Sequence, residues 1–276
     1  MDSSPGCATR STAARRPELP GADRAGLALG FPGVSPPVFL AERSQLNADT
    51  VTLAGAEGRH AATVRRVRAG ERVDLTDGAG LLAECVVTST AADRLELRVI
   101  SRRTEPRPDP LVVAVQAIPK GSRAELAVEM MTEVGVDVIV PWAAARCVPR
   151  WHGERGARAV ARWRDTAREA AKQARRAWIP DVSDVATTDD VADMIRAAAC
   201  ALMLEPGAQV RLADVPVPPS GAVVIVAGPE GGLTELEIGA LAAAGAVRAR
   251  LGPSVLRTST VGAVAAAVLL SHSARW

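Results

Sequence analysis

Ala222-Val-Val-Ile-Val-Ala-Gly-Pro-Glu-Gly-Gly-Leu233 is a run of apolar residues that ends in a glycine-rich turn. An unbroken apolar run of this length suits a strand buried on both faces. Thr234 and Glu237 follow at capping-box spacing, so a helix should open directly after the turn. Working outward, the same grammar repeats. Val247 to Leu251 reads as a strand, then Gly252-Pro-Ser-Val-Leu-Arg-Thr258 as a loop, then an Ala-rich helix near 259–273. Upstream, Leu111 to Ile118, Val136 to Val140 and Cys200 to Leu204 are apolar strand candidates, and 156–178, 189–199 and 234–244 are helical stretches. Ser122-Arg-Ala-Glu125 is a second capping box, opening a helix whose inner side is expected to carry Leu126, Met130, Met131 and Val134. Alternating β and α with apolar strands predicts a parallel sheet with helices on both faces. Ligands of such sheets bind at the carboxyl ends of strands, where both glycine loops fall.

The first third of the chain has a different pattern. Residues 1–35 are rich in Ser, Arg, Ala, Gly and Pro without periodicity, and read as a disordered extension. From residue 36 to 103 short strands dominate: Val38-Phe-Leu40, Val51-Thr-Leu53, and Arg72 to Thr76 running into the Asp77-Gly78 turn. Leu81 to Val87 and the alternating Leu95, Leu97 and Val99 complete a small β-barrel, with one short helix between Gly58 and Val67. Thr104 to Pro110 holds three prolines and reads as a stiff linker, leaving 111–276 as the second domain.

With 276 residues, 33 basic and 31 acidic side chains, the formal charge is +2. That total excludes a strongly basic protein but hides an asymmetry. From Arg146 to Arg176 ten basic residues face three acidic ones, +7 over 31 positions, and the remainder sums to −5. Val160, Trp163, Ala167, Ala170, Ala174 and Trp178 recur there at helical spacing, with Arg164, Arg168, Lys172 and Arg175 on the outer face. Such a face is either simply solvated or binds a phosphate backbone. The arginine excess over only two lysines, Lys120 and Lys172, fits GC-rich coding and is no nucleic-acid signal by itself.

Cys7, Cys85, Cys147 and Cys200 are far apart and read as reduced, mostly buried thiols. His60, His152 and His272 share no metal spacing, and no Ser-His-Asp arrangement is visible, so no metal is expected. The longest apolar run, Val261 to Leu270, is half a membrane span, and the cytoplasm is the expected location. The Gly228–Leu233 loop lacks a P-loop's Lys-Ser/Thr, and Glu230 would repel phosphate. It is either a tight βα turn or a cradle for a neutral-to-cationic ligand. A chemistry without triad or metal is favoured, namely group transfer from an activated cofactor.

Gly228-Pro-Glu-Gly-Gly-Leu233 followed by Leu251-Gly-Pro-Ser-Val-Leu-Arg-Thr258 resembles the cofactor-binding end of SPOUT-class methyltransferases. The resemblance is closest to the bacterial 16S rRNA uridine N3-methyltransferase family. Lys120-Gly121, Thr132-Glu-Val-Gly135, Pro141…Arg146-Cys-Val148 and Arg162-Trp163…Glu169-Ala170…Gln173…Arg176…Ile179-Pro180 are similar to further segments of that family. Gly55…Glu57…His60…Val64-Arg-Arg66, Gly70-Glu71 and Asp77-Gly78 resemble its PUA-like RNA-binding domain. Two departures stand out: His60-Ala61 replaces a histidine pair, and Thr258-Ser-Thr260 replaces T-E-T.

The resemblance implies an α/β fold with a C-terminal trefoil knot, a PUA-like β-barrel, and a homodimer. It implies S-adenosylmethionine held by Leu204, Ala227, Gly228, Pro229, Glu230, Gly231, Gly232, Leu251, Gly252, Val255, Leu256 and Thr258. The implied substrate is 16S rRNA in the small ribosomal subunit, at N3 of the uridine conventionally numbered 1498. Arg257 is the first candidate for orienting the uracil, its alternative being an ion pair with Glu230 that braces the two loops. Glu169 is a candidate base, or else the salt-bridge partner of Lys172. Arg65, Arg66, Arg146, Arg164, Arg168, Lys172, Gln173, Arg175 and Arg176 are candidate RNA-binding residues. Two rivals remain: a SPOUT enzyme acting on a ribose 2′-hydroxyl or another base, and a non-catalytic RNA-binding assembly factor.

Overall fold

The structure, a computed structural model, describes residues 35–121 and 123–276. The expected N-terminal extension falls almost wholly outside the described residues, as do Cys7 and the Ser122 half of the first capping box.

The N-terminal sheet holds β1 (Val38–Leu40), β2 (Thr50–Leu53), β3 (Arg72–Thr76), β4 (Leu81–Thr90) and β5 (Leu95–Thr104) in the order β1-β3-β4-β5-β2. β1 pairs with β3 in parallel, and the other pairs are antiparallel. Period-2 alternation buries Val73, Leu75, Leu95 and Leu97 in a core shared with Phe39, Leu46, Val51 and Leu53. The β3–β4 turn closes as its sequence suggests: Asp77 Oδ1 accepts from the backbone N–H of Ala79 at 2.8 Å and of Leu81 at 3.0 Å. Short helices α1 (Arg43–Leu46) and α2 (Gly55–Arg59) lie between the strands, and α2 continues as a π turn over His60–Val64. β4 and β5 run three and more residues further than their apolar alternation does, so Thr104 belongs to a strand and not to the linker.

The C-terminal sheet is parallel throughout. Its strands are β6 (Leu111–Ala117), β7 (Val138–Trp142), β8 (Asp181–Val182), β9 (Cys200–Leu204), β10 (Val210–Arg211), β11 (Ala222–Ala227) and β12 (Val247–Arg250). Their order is β10-β12-β9-β11-β6-β7-β8. One face packs against α3 (Arg123–Val134), α4 (Gly153–Gln173) and α7 (Thr258–Leu270), through residues such as Val128, Trp163 and Ala266. The other face carries α5 (Thr188–Ala197) and α6 (Glu235–Ala243), through Val191, Ile195 and Leu241. Successive strand residues serve opposite faces: Val223 and Ile225 point to the first core, Val224 and Val226 to the second. That double burial is why the strands read as unbroken apolar runs.

Two expectations need correction. The inner side of α3 is Ala124, Ala127, Val128 and Met131, at i, i+3, i+4 and i+7, while Leu126 is 45% exposed; Met130 and Val134 are only partly buried. α4 ends at Gln173 because Arg175 takes φ +56°, so Trp178 leaves on an extended segment rather than continuing the helix.

Candidate active site

Strands β12, β9 and β11 are neighbours, and the loops leaving their carboxyl ends converge on one cavity of about 560 Å3. Leu204, Glu205 and Pro206 follow β9. Gly228 to Glu230, Gly232 and Leu233 follow β11. Leu251, Gly252 and Ser254 to Ser259 come after β12 and enter α7. Ten of the twelve candidate cofactor residues line this space. The exceptions are Ala227, fully buried in β11, and Gly231, which lies beneath the Arg146 side chain.

The glycine loop is held rigidly. Gly232 sits at φ +71°, the left-handed region that favours glycine, and its N–H donates to Pro229 O at 2.9 Å. Arg146 Nη1 donates to Gly231 O at 2.9 Å and Leu233 O at 3.0 Å. Glu237, 4% exposed, caps α6 by accepting from Thr234 N–H and Oγ1, both at 2.8 Å, and its other oxygen accepts from Ala145 N–H at 2.7 Å. The Thr234–Glu237 capping box therefore also pins the loop that carries Arg146. Arg146 is thus engaged with the glycine loop and not free for a phosphate.

Arg257 lies on the cavity as the N-cap residue of α7, where its carbonyl accepts from Thr260 and Val261. Its guanidinium forms no ion pair among the described residues. The bracing pair between Glu230 and Arg257 is not formed; Glu230 Oε1 accepts from Lys120 N–H at 3.2 Å. Arg123, Glu205 and Glu235 also line the cavity, giving two cations and three carboxylates around largely apolar walls. The sequence reading missed Arg123, Glu205 and Glu235. Glu205 and Pro206 directly follow a strand whose end at Leu204 was recognised, so the strand-end rule contained the signal.

The basic stretch behaves differently from its charge count. Lys172 is buried, its Nζ 2.8 Å from Glu57 Oε1 and 3.1 Å from Glu169 Oε1, so it is not on the outer face of α4. Glu169 does not line the cavity. It borders a groove with Glu129, Glu133, Asp165 and Gln173 and pairs with Lys172, as the alternative reading had it. Arg176 is buried against Asp137 at 3.0 Å and donates to Thr132 O, and burial pushes its guanidinium pKa down. Arg164 pairs with Asp184, Arg168 with Asp165, and Arg175 donates to Pro36 O. By contrast Arg65 and Arg66, exposed beside Arg59 and Arg68, form no ion pair among the described residues.

Cys85 and Cys147 are buried and Cys200 half-buried; burial raises all three thiols, Cys85 to about 11. Among the described residues no three His, Cys, Asp or Glu side chains gather as a metal site, and no helix is long and apolar enough to cross a membrane.

Residues 106–270 match the family described as RNA methyltransferase domain, and residues 53–100 match RNA methyltransferase PUA domain. Ribosomal RNA small subunit methyltransferase E of Mycobacterium bovis is 46% identical over 226 residues, covering 80% of this chain and 86% of the relative. The chain belongs to the ribosomal RNA small subunit methyltransferase E family. The Bacillus subtilis family member is 30% identical over 221 residues, covering 77% of this chain and 86% of its own. A crystal structure of the Neisseria gonorrhoeae member bound to S-adenosyl methionine has a TM-score of 0.75 and 28% identity, covering 86% of this chain and 98% of that one. The family therefore accounts for both sheets: the parallel one with the cavity, and the PUA-like one bearing the unpaired arginines.

Proposed function

We propose that this chain transfers a methyl group from S-adenosylmethionine to N3 of uridine 1498 in the 16S rRNA of the small subunit. In this reading residues 36–104 grip RNA, 105–110 link, and 111–276 carry the reaction. The observation that carries it is the placement of an unpaired Arg257 at a cavity built from three adjacent strand ends. The cavity suits the cofactor chemically. Leu204, Leu251, Val255 and Leu256 offer apolar contact, the glycine loop offers backbone groups, and Glu230 and Glu235 favour a cationic ligand, Glu205 being held by Arg248 at 2.6 Å. When bound, S-adenosylmethionine supplies an electrophilic methyl on a sulfonium.

The chain's residues have the remaining work. Uracil N3 carries a proton that must pass to bulk water before the N3 anion can take the methyl group, with S-adenosylhomocysteine as the leaving group. Arg257, placed beside the uracil, favours the N3 anion electrostatically and fixes its orientation. Apolar walls exclude water and strengthen that charge effect. Arg65 and Arg66 supply phosphate attraction without base specificity. Val255, 77% exposed, lines the cavity, and Leu236, 86% exposed, follows the lining residue Glu235. These exposed apolar side chains support a second copy of the chain as a cover, so the homodimer belongs to the proposal, as does the trefoil knot that the family resemblance implies. The cytoplasm, where ribosomes are assembled, is the corresponding location.

Calorimetry of S-adenosylmethionine binding, followed by labelled-methyl transfer to small subunits lacking the modification, tests the reading. Binding with transfer is expected. Binding of RNA without cofactor would make the chain an assembly factor.

A further inference from the structure

The most charged motif of the sequence ends in contacts that have no RNA-binding character. Lys172, with its side chain 4% exposed, bridges Glu169 on its own helix and Glu57 on α2, 115 residues away. Glu57 in turn accepts from Leu40 N–H through its second oxygen at 3.1 Å. Arg175 reaches Pro36 O at 2.6 Å. Gly80 N–H donates to Ala177 O at 2.9 Å, Ile179 N–H to Gly78 O at 2.9 Å, and Trp178 Nε1 to Glu105 O at 3.1 Å. A Cβ on Gly80 would fall 2.8 Å from the Trp178 ring and 2.7 Å from Glu105 O, so the two surfaces meet too closely for any side chain there. Residues 172–179 therefore clamp the N-terminal sheet to α4 by side chains, backbone and shape together.

We propose that Lys172 and the segment 172–179 form a positioning joint. It fixes the reach between the RNA-gripping arginines after the π turn of the N-terminal domain and the cavity that holds Arg257. This rests on the methyltransferase reading above. A ligand as large as a ribosomal subunit must be gripped at one place and reacted at another, so a joint between the two sets the geometry of a single binding event. A buried ammonium between two partly exposed carboxylates suits that role, because removing it leaves Glu57 and Glu169 facing each other uncompensated across the joint.

The test is Lys172→Met in the full chain. Small-angle scattering of the free protein should show a broader distance distribution than wild type. With small subunits as substrate, KM should rise about tenfold while kcat stays within about twofold, and cofactor affinity should not change. Lys172→Arg, which keeps a cation between the two carboxylates, should restore wild-type KM. If Lys172→Met does not fold, Glu57→Gln on the more exposed rim serves instead, with a smaller KM rise and the same constant kcat. Unchanged scattering and unchanged KM overturn the joint, as does loss of cofactor affinity in parallel with KM. Wild-type protein that transfers no methyl defeats the functional reading instead, and the scattering comparison then still decides the joint.

Discussion

Gln116 Nε2 donates to the carbonyl oxygen of Thr258 at 3.1 Å, tying strand β6 to the first turn of α7 across 142 residues. Gln116 is fully buried among apolar strand residues, and its Oε1 has no hydrogen-bond partner. A buried acceptor without a partner costs about 1–3 kcal/mol. Its amide nitrogen, however, anchors the residue next to Arg257. Gly262 is part of the arrangement, since a Cβ there would meet Gln116 Oε1 at 3.1 Å and Met131 Sδ at 3.0 Å.

Gln116→Leu should separate stability from activity. The apolar replacement removes the orphaned acceptor along with the bonds Nε2 donates to Ala117 O and Thr258 O. The gain offsets the loss, so urea unfolding should change by less than about 1 kcal/mol. Loosening the Arg257 loop should lower kcat for methyl transfer about tenfold. Full activity would show that the tie to Thr258 does not position Arg257.

Asp137 is the hub of a buried ionic cluster. It is 7% exposed, pairs with both Arg176 and Arg275, and accepts from Val112 N–H at 2.9 Å. Arg275 also donates to Pro110 O and Gly135 O, so the cluster joins the linker, the end of α3 and the chain's last residues. Asp137→Ala should cost about 3–5 kcal/mol in urea unfolding, because two guanidiniums lose their common partner in the interior. A loss below about 1 kcal/mol would mean that solvent reaches the cluster.

The two basic regions should differ in their salt response. Arg65→Ala with Arg66→Ala should weaken RNA binding and reduce the slope of log K against log salt by about 1.4–1.8. Arg168→Ala should leave that slope unchanged, since Arg168 already pairs with Asp165 at 2.9 Å. The opposite ranking would return the RNA face to α4.

Asp74 faces Glu84 directly across the β3–β4 pair, and its carboxyl pKa is raised above the ordinary 3.8, chiefly by burial and then by Glu84. A carboxyl raised in the folded state binds more protons folded than unfolded, so this group's contribution to stability falls as pH rises above 3.8. Asp74→Asn should therefore raise Tm at pH 7, with the gain shrinking as pH drops towards the ordinary carboxylate value. A gain independent of pH would point to hydrogen bonding rather than ionisation.

The parallel sheet and the cofactor loops were legible because burial on both faces leaves apolar runs, and Gly and Pro mark where each run stops. The capping box at Thr234 and Glu237 was readable for the same local reason. Strands β8 and β10 were not, since two residues carry no periodicity. The basic stretch misled because charge counting does not see partners distant in sequence: Lys172 meets Glu57, and Arg176 meets Asp137. Arg257 was readable as unusual by its place in the loop, but whether it reaches Glu230 depends on how the two loops are set in space, which local sequence does not carry.

The most direct test of the account incubates the wild-type protein and Arg257→Ala with labelled S-adenosylmethionine and unmodified small subunits, then maps the product by reverse transcription. A methyl at N3 blocks Watson–Crick pairing, so wild type should give one strong stop at uridine 1498 with label on the base. Arg257→Ala should bind the cofactor normally and give about 100-fold to 1,000-fold less product. A stop elsewhere, label on ribose, or undiminished transfer by Arg257→Ala would contradict it.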